Sequence, residues 1–357
     1  MNNAFPNQVA SGDTTQSSTV LWTRSATSGS VIFEYATDPD FKGILGSFSQ
    51  TVTDPLIPVK QEVLGISPGT RYFYRVINAD GNKASGQFKT AAEPGTNVGL
   101  RFGVAGDWRG ELSPYPAIRN APGHNLDFFV ELGDTIYADF ASPDVPLAQA
   151  TTIDEFRAKH NEVYSSRFGL NAWGDLRAST SVLSTLDDHE VTNDFAGGAP
   201  VASDPRFGIT TGLINDTPLY ETGVQAFQEY NPIRDEFYGA TGDPRTADEQ
   251  KLYRANTYGQ DAAVFVLDAR SFRDQELPAA NPADPAQVAA FLARSFDIDP
   301  QIGQPTPRRT LLGNQQLTDL KRDLLQADHD AVTWKFVMVP EPIQNLGVTA
   351  ASDRYEG

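Results

Sequence analysis

The chain has no cysteine in 357 residues. That excludes disulfide staples, thiolate metal sites and a cysteine nucleophile. Histidine is nearly as scarce. His124, His160, His189 and His329 are the full set, too few for a zinc site built from several imidazoles. Positive charge is also short, with 28 basic residues against 46 acidic ones and a net charge of −18. Such a field repels phosphate backbones, so no nucleic-acid-binding surface is expected. A small anionic substrate then needs a metal ion or a local arginine. No apolar run approaches the roughly 18 residues that a membrane span requires. The opening Met1-Asn2-Asn3-Ala4-Phe5-Pro6 lacks the basic and apolar regions of a signal peptide. Gly-x-Ser-x-Gly, the phosphate-binding Gly-x-x-x-x-Gly-Lys-[Ser/Thr] and His-Glu-x-x-His are all missing.

What is present is enough apolar material for real cores, 39% of residues, over a length that suggests about two domains. Residues 5 to about 92 read as all-β. Val31, Phe33 and Tyr35 alternate with Ile32, Glu34 and Ala36, the period of a strand. Thr19–Thr23, Val59–Leu64, Tyr72–Ile77 and Gln87–Thr90 are further strand candidates, separated by Gly, Pro, Asp and Asn clusters. The stretch Ile66-Ser67-Pro68-Gly69-Thr70-Arg71-Tyr72 predicts a tyrosine corner, as in sandwich domains. The expectation is a fibronectin-III-like sandwich over 1–92, with residues 91–97 as the linker.

From residue 98 the pattern changes. Leu100–Ala105, Leu126–Leu132, Val182–Leu186, Ala262–Leu267 and Phe336–Val339 are continuous apolar runs. Such runs imply strands buried on both faces in an α/β sheet. Asp154–Tyr164 and Leu311–Gln326 predict helices, the second with Leu317, Leu320 and Leu324 on one face. Residues 190–256 are rich in Gly, Pro, Asn and Asp and read as one long loop, the kind that is functional or disordered.

Acids follow the runs. Asp107 and Arg109 follow the first, Asp134, Tyr137 and Asp139 the second, Asp187-Asp188-His189-Glu190 the third, and Asp268 and Arg270 the fourth. Open α/β sheets bind ligands beyond the carboxyl ends of their strands. Each motif alone has a plainer role: a turn, a helix cap, a packed tyrosine, a structural histidine, or an Asp268–Arg270 pair. Together they deliver carboxylates to one edge. Clustered carboxylates repel unless protons, arginines or cations intervene. Asp134 suits a bridging position. Hard oxygen ligands favour Ca2+, Mg2+ or Mn2+, and a phenolate from Tyr137 favours Fe3+.

These motifs resemble the PhoD-like alkaline phosphatases, a branch of the calcineurin-like metallophosphoesterases. The resemblance runs through Val9-Ala10-Ser11-Gly12-Asp13 and Val20-Leu21-Trp22-Thr23-Arg24 to Gly133-Asp134-Thr135-Ile136-Tyr137 and Asp187-Asp188-His189-Glu190. It continues in Leu267-Asp268-Ala269-Arg270, Leu312-Gly313 with Gln316, and Ser352-Asp353-Arg354-Tyr355-Glu356-Gly357. It implies an N-terminal β domain over 1–92 and an α/β metallophosphoesterase domain of αββα sandwich type over 98–357, truncated at its C-terminus. The family continues to a Gly-Asp-Val-His-like motif with further metal ligands, and some members carry a cysteine ligand after the first strand. The resemblance implies metal ligation by Asp107, Asp134, Tyr137 and Asp188, with Fe3+ and Ca2+ as cofactors, and His189 as the catalytic histidine. Arg109 or Arg270 is the expected phosphate holder.

The resemblance implies hydrolysis of phosphate monoesters, and of diesters in many members, by a metal-bound hydroxide. It also implies an extracellular or periplasmic location and a small phosphate-ester substrate as the partner. Two alternatives stand beside this reading. One is a secreted phospholipase-type phosphodiesterase, with Tyr220, Phe227, Tyr230, Phe237 and Tyr238 as pocket walls or, more plainly, core. The other is a non-catalytic, calcium-binding extracellular protein.

Overall fold

The computed structural model describes residues 4–208, 211–295 and 309–341. Seven strands come first: β1 (Val9–Gly12), β2 (Ser18–Thr23), β3 (Gly29–Ala36), β4 (Ile44–Val52), β5 (Val59–Leu64), β6 (Arg71–Asn78) and β7 (Lys83–Lys89). In β6 every second residue is buried, as the strand period requires. Tyr72, Tyr74 and Val76 point inward and meet Val31 and Phe33 of β3, Val52 of β4, Leu21 of β2 and Val63 of β5 in one core. The Tyr72 hydroxyl turns back and accepts the Ser67 N–H at 2.8 Å. This is the tyrosine corner that the sequence predicts.

The second part holds β8 (Phe102–Ala105), β9 (Phe128–Leu132), α1 (Ile153–Tyr164), α2 (Ala172–Ser179), β10 (Ser181–Thr185) and α3 (Pro218–Tyr230). It goes on to β11 (Arg254–Tyr258), β12 (Ala262–Val266), α4 (Pro285–Ser295), α5 (Gly313–His329) and β13 (Trp334–Met338). Helix α1 starts at a capping box, in which Thr152 accepts from Glu155 N–H and the Glu155 carboxylate accepts from Thr152 N–H. Strands β10 and β12 are buried at every position; in β12 this explains the unbroken apolar run, while in β10 the buried Ser184 and Thr185 hydroxyls donate to Glu131 at 3.0 Å and to the Leu267 carbonyl at 2.7 Å. Phe128, Val130 and Leu183 of one sheet pack on Tyr258, Val264, Val266 and Met338 of the other. Phe129 lies on the opposite side with α1, α2 and α3 residues Phe156, Trp173 and Ala226. Leu312 and Leu320, at and within α5, cover Ala263 and Phe265 of β12.

The N-terminal strands do not stand apart from the rest of the molecule. Strands β5, β2 and β1 continue into β10, β9 and β8 as one six-stranded sheet. Strand β1 pairs in parallel with β10, Ser11 opposite Ser181 and Gly12 opposite Val182. A side chain at Gly12 would sit 2.5 Å from the Pro232 carbonyl oxygen and 2.7 Å from that of Val182, so glycine is what allows this junction. Strands β4, β3, β6 and β7 form the facing four-stranded sheet. Nor is the 190–256 segment one long loop. It holds α3 and an apolar core of its own, with Val191, Phe195, Ile214, Tyr220 and Phe227 buried. Among the described residues no helix is long and apolar enough to cross a membrane.

Candidate metal centre

The loop after β9 turns sharply. Gly133 and Asp134 both take positive φ, +71° and +50°. A Cβ on Gly133 would lie 2.4 Å from the Asp187 nitrogen, so the loops after β9 and β10 touch through bare backbone. Glu190 clamps them. Its fully buried carboxylate accepts from Asp134 N–H at 3.0 Å, Thr135 N–H at 2.6 Å and Asp187 N–H at 2.8 Å. The loop after β8 joins through Asp107 N–H to the Gly133 carbonyl at 3.3 Å and Trp108 N–H to that of Asp134 at 2.6 Å. Asp107 also takes positive φ, +65°. Unfavourable backbone at non-glycine residues persists where the surroundings over-determine it, as functional sites do.

This backbone brings the side chains together. The Tyr137 hydroxyl donates to Asp134 Oδ2 at 3.0 Å and lies 3.5 Å from Asp107 Oδ1. The other Asp134 oxygen accepts the His189 backbone N–H at 3.3 Å. Asp134, Asp188 and His189 each offer a ligand atom within 4.8 Å of the others, and all three are buried. Asp188 Oδ2 accepts from Asp194 N–H at 2.5 Å. His189 Nδ1 meets Asp139 Oδ1 at 2.6 Å, and the second Asp139 oxygen accepts from Asn193 N–H at 2.7 Å. The imidazole stacks on the Tyr137 ring with centroids 4.0 Å apart.

Charge is badly compensated here. Burial pushes the Asp134 carboxyl up to about 10, and Glu190, Asp187, Asp188 and Asp107 add to it. Burial also raises Glu190, to about 8. Asp187 is held near 7 by burial despite Arg270 beside it. The Tyr137 phenol is raised by burial, Asp134 and Asp107. Burial opposes a charge on His189, but Asp139 and Asp188 outweigh it and raise the imidazole. Carboxyls raised in this way mark a place where cations would relieve the repulsion. Carboxylate oxygens, a phenol and an imidazole are a donor set that fits hard divalent and trivalent metal ions.

The profile of the PhoD-like phosphatase family matches residues 104–356, and that of the PhoD-like phosphatase N-terminal domain matches residues 1–92. The chain belongs to the PhoD-like phosphatase family. Alkaline phosphatase D of Bacillus subtilis (strain 168) is 29% identical over 330 residues, 86% of this chain and 51% of the relative. The chain thus spans about half the length of that curated relative. A solved structure described as that of PhoD superposes with a TM-score of 0.73 at 25% identity, over 94% of this chain and 62% of the other. The purple acid phosphatase PPD1 from yellow lupin (Lupinus luteus) seeds superposes with a TM-score of 0.51 at 12% identity, over 98% of this chain and 54% of its own. That last likeness is one of fold. The metallophosphoesterase superfamily accommodates all of these features.

In this PhoD-like chain the structure gathers Asp107, Asp134, Tyr137, Asp188 and His189 at one place. Arg109 lies beside them, with its guanidinium carbon 5.2 Å from the Tyr137 ring centroid, and pairs with Glu111. Arg270 does not fit the phosphate-holding role. Its side chain is fully buried, 2.6 Å from Asp187, 2.8 Å from Glu341 and 3.6 Å from Asp188. It neutralises acids behind the β10 loop. Asp268 accepts the Arg270 and Ser271 backbone N–H groups at 3.0 and 2.9 Å, and burial raises its carboxyl while the Arg270 charge acts to lower it. Tyr220, Phe227 and Tyr230 are core, while Phe237 is 61% exposed and Tyr238 packs edge-on against Phe272. Tyr220 and Phe237 line one cavity of about 460 Å³ together with Glu221, Val224 and Glu249, and the other three aromatics are not part of its wall. The Ser352–Gly357 motif lies outside the described residues.

The sequence reading assigned no role to Asp139 or Glu190. Both sit inside the motifs it singled out, Asp139 five residues after Asp134 and Glu190 directly after His189. Apart from the Asp187 N–H beside Glu190, their partners are a ring nitrogen and backbone N–H groups on other loops, which spacing alone does not encode.

Proposed function

We propose that this centre hydrolyses phosphate esters, monoesters in the first place, in a metal-dependent reaction. The observation that supports it most is the convergence of Asp134, Asp188 and His189 on a carboxylate that burial and its neighbours drive up to about 10. Iron with calcium is the proposed metal set, with manganese or magnesium as the alternative. Bound there, such ions supply Lewis acidity and an activated water.

The chain's own residues do the rest. Asp134 presents one oxygen towards Tyr137 and the other towards His189 N–H, which suits a bridging ligand. Asp107 and Asp188 would supply further oxygens to such ions, and Tyr137 would join them as a phenolate. Asp139 occupies His189 Nδ1, so Nε2 is the atom that hands a proton to the leaving oxygen. Arg109 offers its guanidinium to a phosphoryl oxygen. The relationship to an alkaline phosphatase D supports phosphate esters as substrates. An extracellular or periplasmic location belongs to the same reading and rests on the family resemblance.

The test is Asp134→Ala. Phosphate-ester turnover is expected to fall by about three orders of magnitude or more, with bound metal lost in parallel. Full activity in that variant would end the proposal.

A further inference from the structure

Phe140 is 42% exposed although it stands against the reactive groups. Its ring lies edge-on to His189, with centroids 5.6 Å apart, and to Tyr137 at 5.8 Å. The Arg109 guanidinium carbon is 4.7 Å from its centroid. The backbone that carries the ring is held on both sides. The Phe140 N–H donates to the Tyr137 carbonyl at 3.4 Å. Its carbonyl accepts from the ammonium of Lys159, which also donates to Ser142 Oγ at 2.8 Å. A part-exposed aromatic side chain beside a catalytic centre leaves apolar surface in water that a ligand would cover.

We propose that Phe140, braced by Arg109, is the platform for the leaving alcohol. The site then favours esters whose alcohol carries a planar or apolar group next to its oxygen, an aryl alcohol rather than a small polyol. This rests on the phosphate-ester reading above. In the reaction, the oxygen of water bonds to phosphorus and one of its protons leaves to solvent. The ester P–O bond breaks with its electron pair on the alcohol oxygen, which takes a proton from His189, and solvent returns a proton to the imidazole. The group on that oxygen must lie next to the imidazole, and the Phe140 ring borders the imidazole. A flat substituent there gains a ring contact and keeps its oxygen at the proton donor, whereas a polyol gains nothing from the ring and must shed water beside it.

Steady-state kinetics with phenyl phosphate and glycerol 1-phosphate test this on the intact, metal-loaded protein. Wild type, Phe140→Ala and Phe140→Leu are compared, with bound metal measured for each. The ratio of kcat/KM for the aryl ester to that for the glycerol ester is expected to fall about three- to tenfold in Phe140→Ala, chiefly through the aryl KM. Phe140→Leu recovers part of it. An unchanged ratio, with both esters losing equally, would show a merely structural ring and overturn the inference while leaving the phosphatase reading intact. If wild type turns over neither ester, the phosphatase reading fails and this inference falls with it.

Discussion

Asp139 matters through its contact with His189, the proposed proton donor. The 2.6 Å link to Nδ1 fixes the ring's orientation and tautomer, as carboxylate partners of histidine do elsewhere. Asp139→Asn keeps the shape and removes the charge. We expect kcat to fall about ten- to a hundredfold with bound metal retained. Loss of metal with loss of activity would instead mean that Asp139 supports ligation. At this scale the sequence was informative wherever chemistry is carried by residue type. Asp107, Asp134, Tyr137, Asp188 and His189 stand out as acids, a phenol and an imidazole after apolar runs. It was misleading at Arg270, because a strand-end arginine reads the same whether it faces a ligand or, as here, Asp187 and Glu341.

The centre is built by loops that end β8, β9 and β10, and their mutual contact is the fragile feature. Gly133 combines positive φ with a 2.4 Å approach to Asp187 nitrogen. Gly133→Ala must part the two loops or strain the turn. We expect a loss of about 2 kcal/mol or more in stability, read by thermal melting, and a disproportionate loss of metal affinity. Wild-type melting with unchanged metal binding would contradict this account of the loops. Strand β12 was legible because burial on both faces demands an unbroken apolar run, and β9 and β10 through the apolar residues Phe128, Phe129, Val130, Val182 and Leu183 within them. Strand β4 was not, because the exposed Ser47, Ser49 and Thr51 alternate with half-buried Gly46, Phe48 and Gln50 and of its nine residues Val52 is the one fully buried, with β3 as its paired neighbour. Helix α3 was hidden for another reason: the surrounding Gly, Pro and Asn suggest loop, while Tyr220, Val224 and Phe227 supply a buried face one turn apart.

For the molecule as a whole, one sheet joins the two parts of the sequence. That join rests on the parallel β1–β10 pair, a long-range match that no local pattern announces. The acid cluster also has a global consequence. Asp134 and Glu190 bind protons in the folded state up to about 10 and 8, far above ordinary carboxyls. The unfolded chain releases them near pH 4. The native state thus binds more protons than the unfolded state across this range. The metal-free protein is predicted to be steadily less stable as pH rises from about 4 towards 10. Metal ions take the place of those protons, so the gap in melting temperature between metal-loaded and chelated protein is expected to widen with pH. A gap independent of pH would contradict the assignment of the cluster.

The most direct test of the central claim is phosphate-ester hydrolysis by the purified protein before chelation, after chelation, and after iron and calcium are returned. The account predicts turnover that is lost with the metals and restored with them. Turnover that survives complete removal of metal would contradict it.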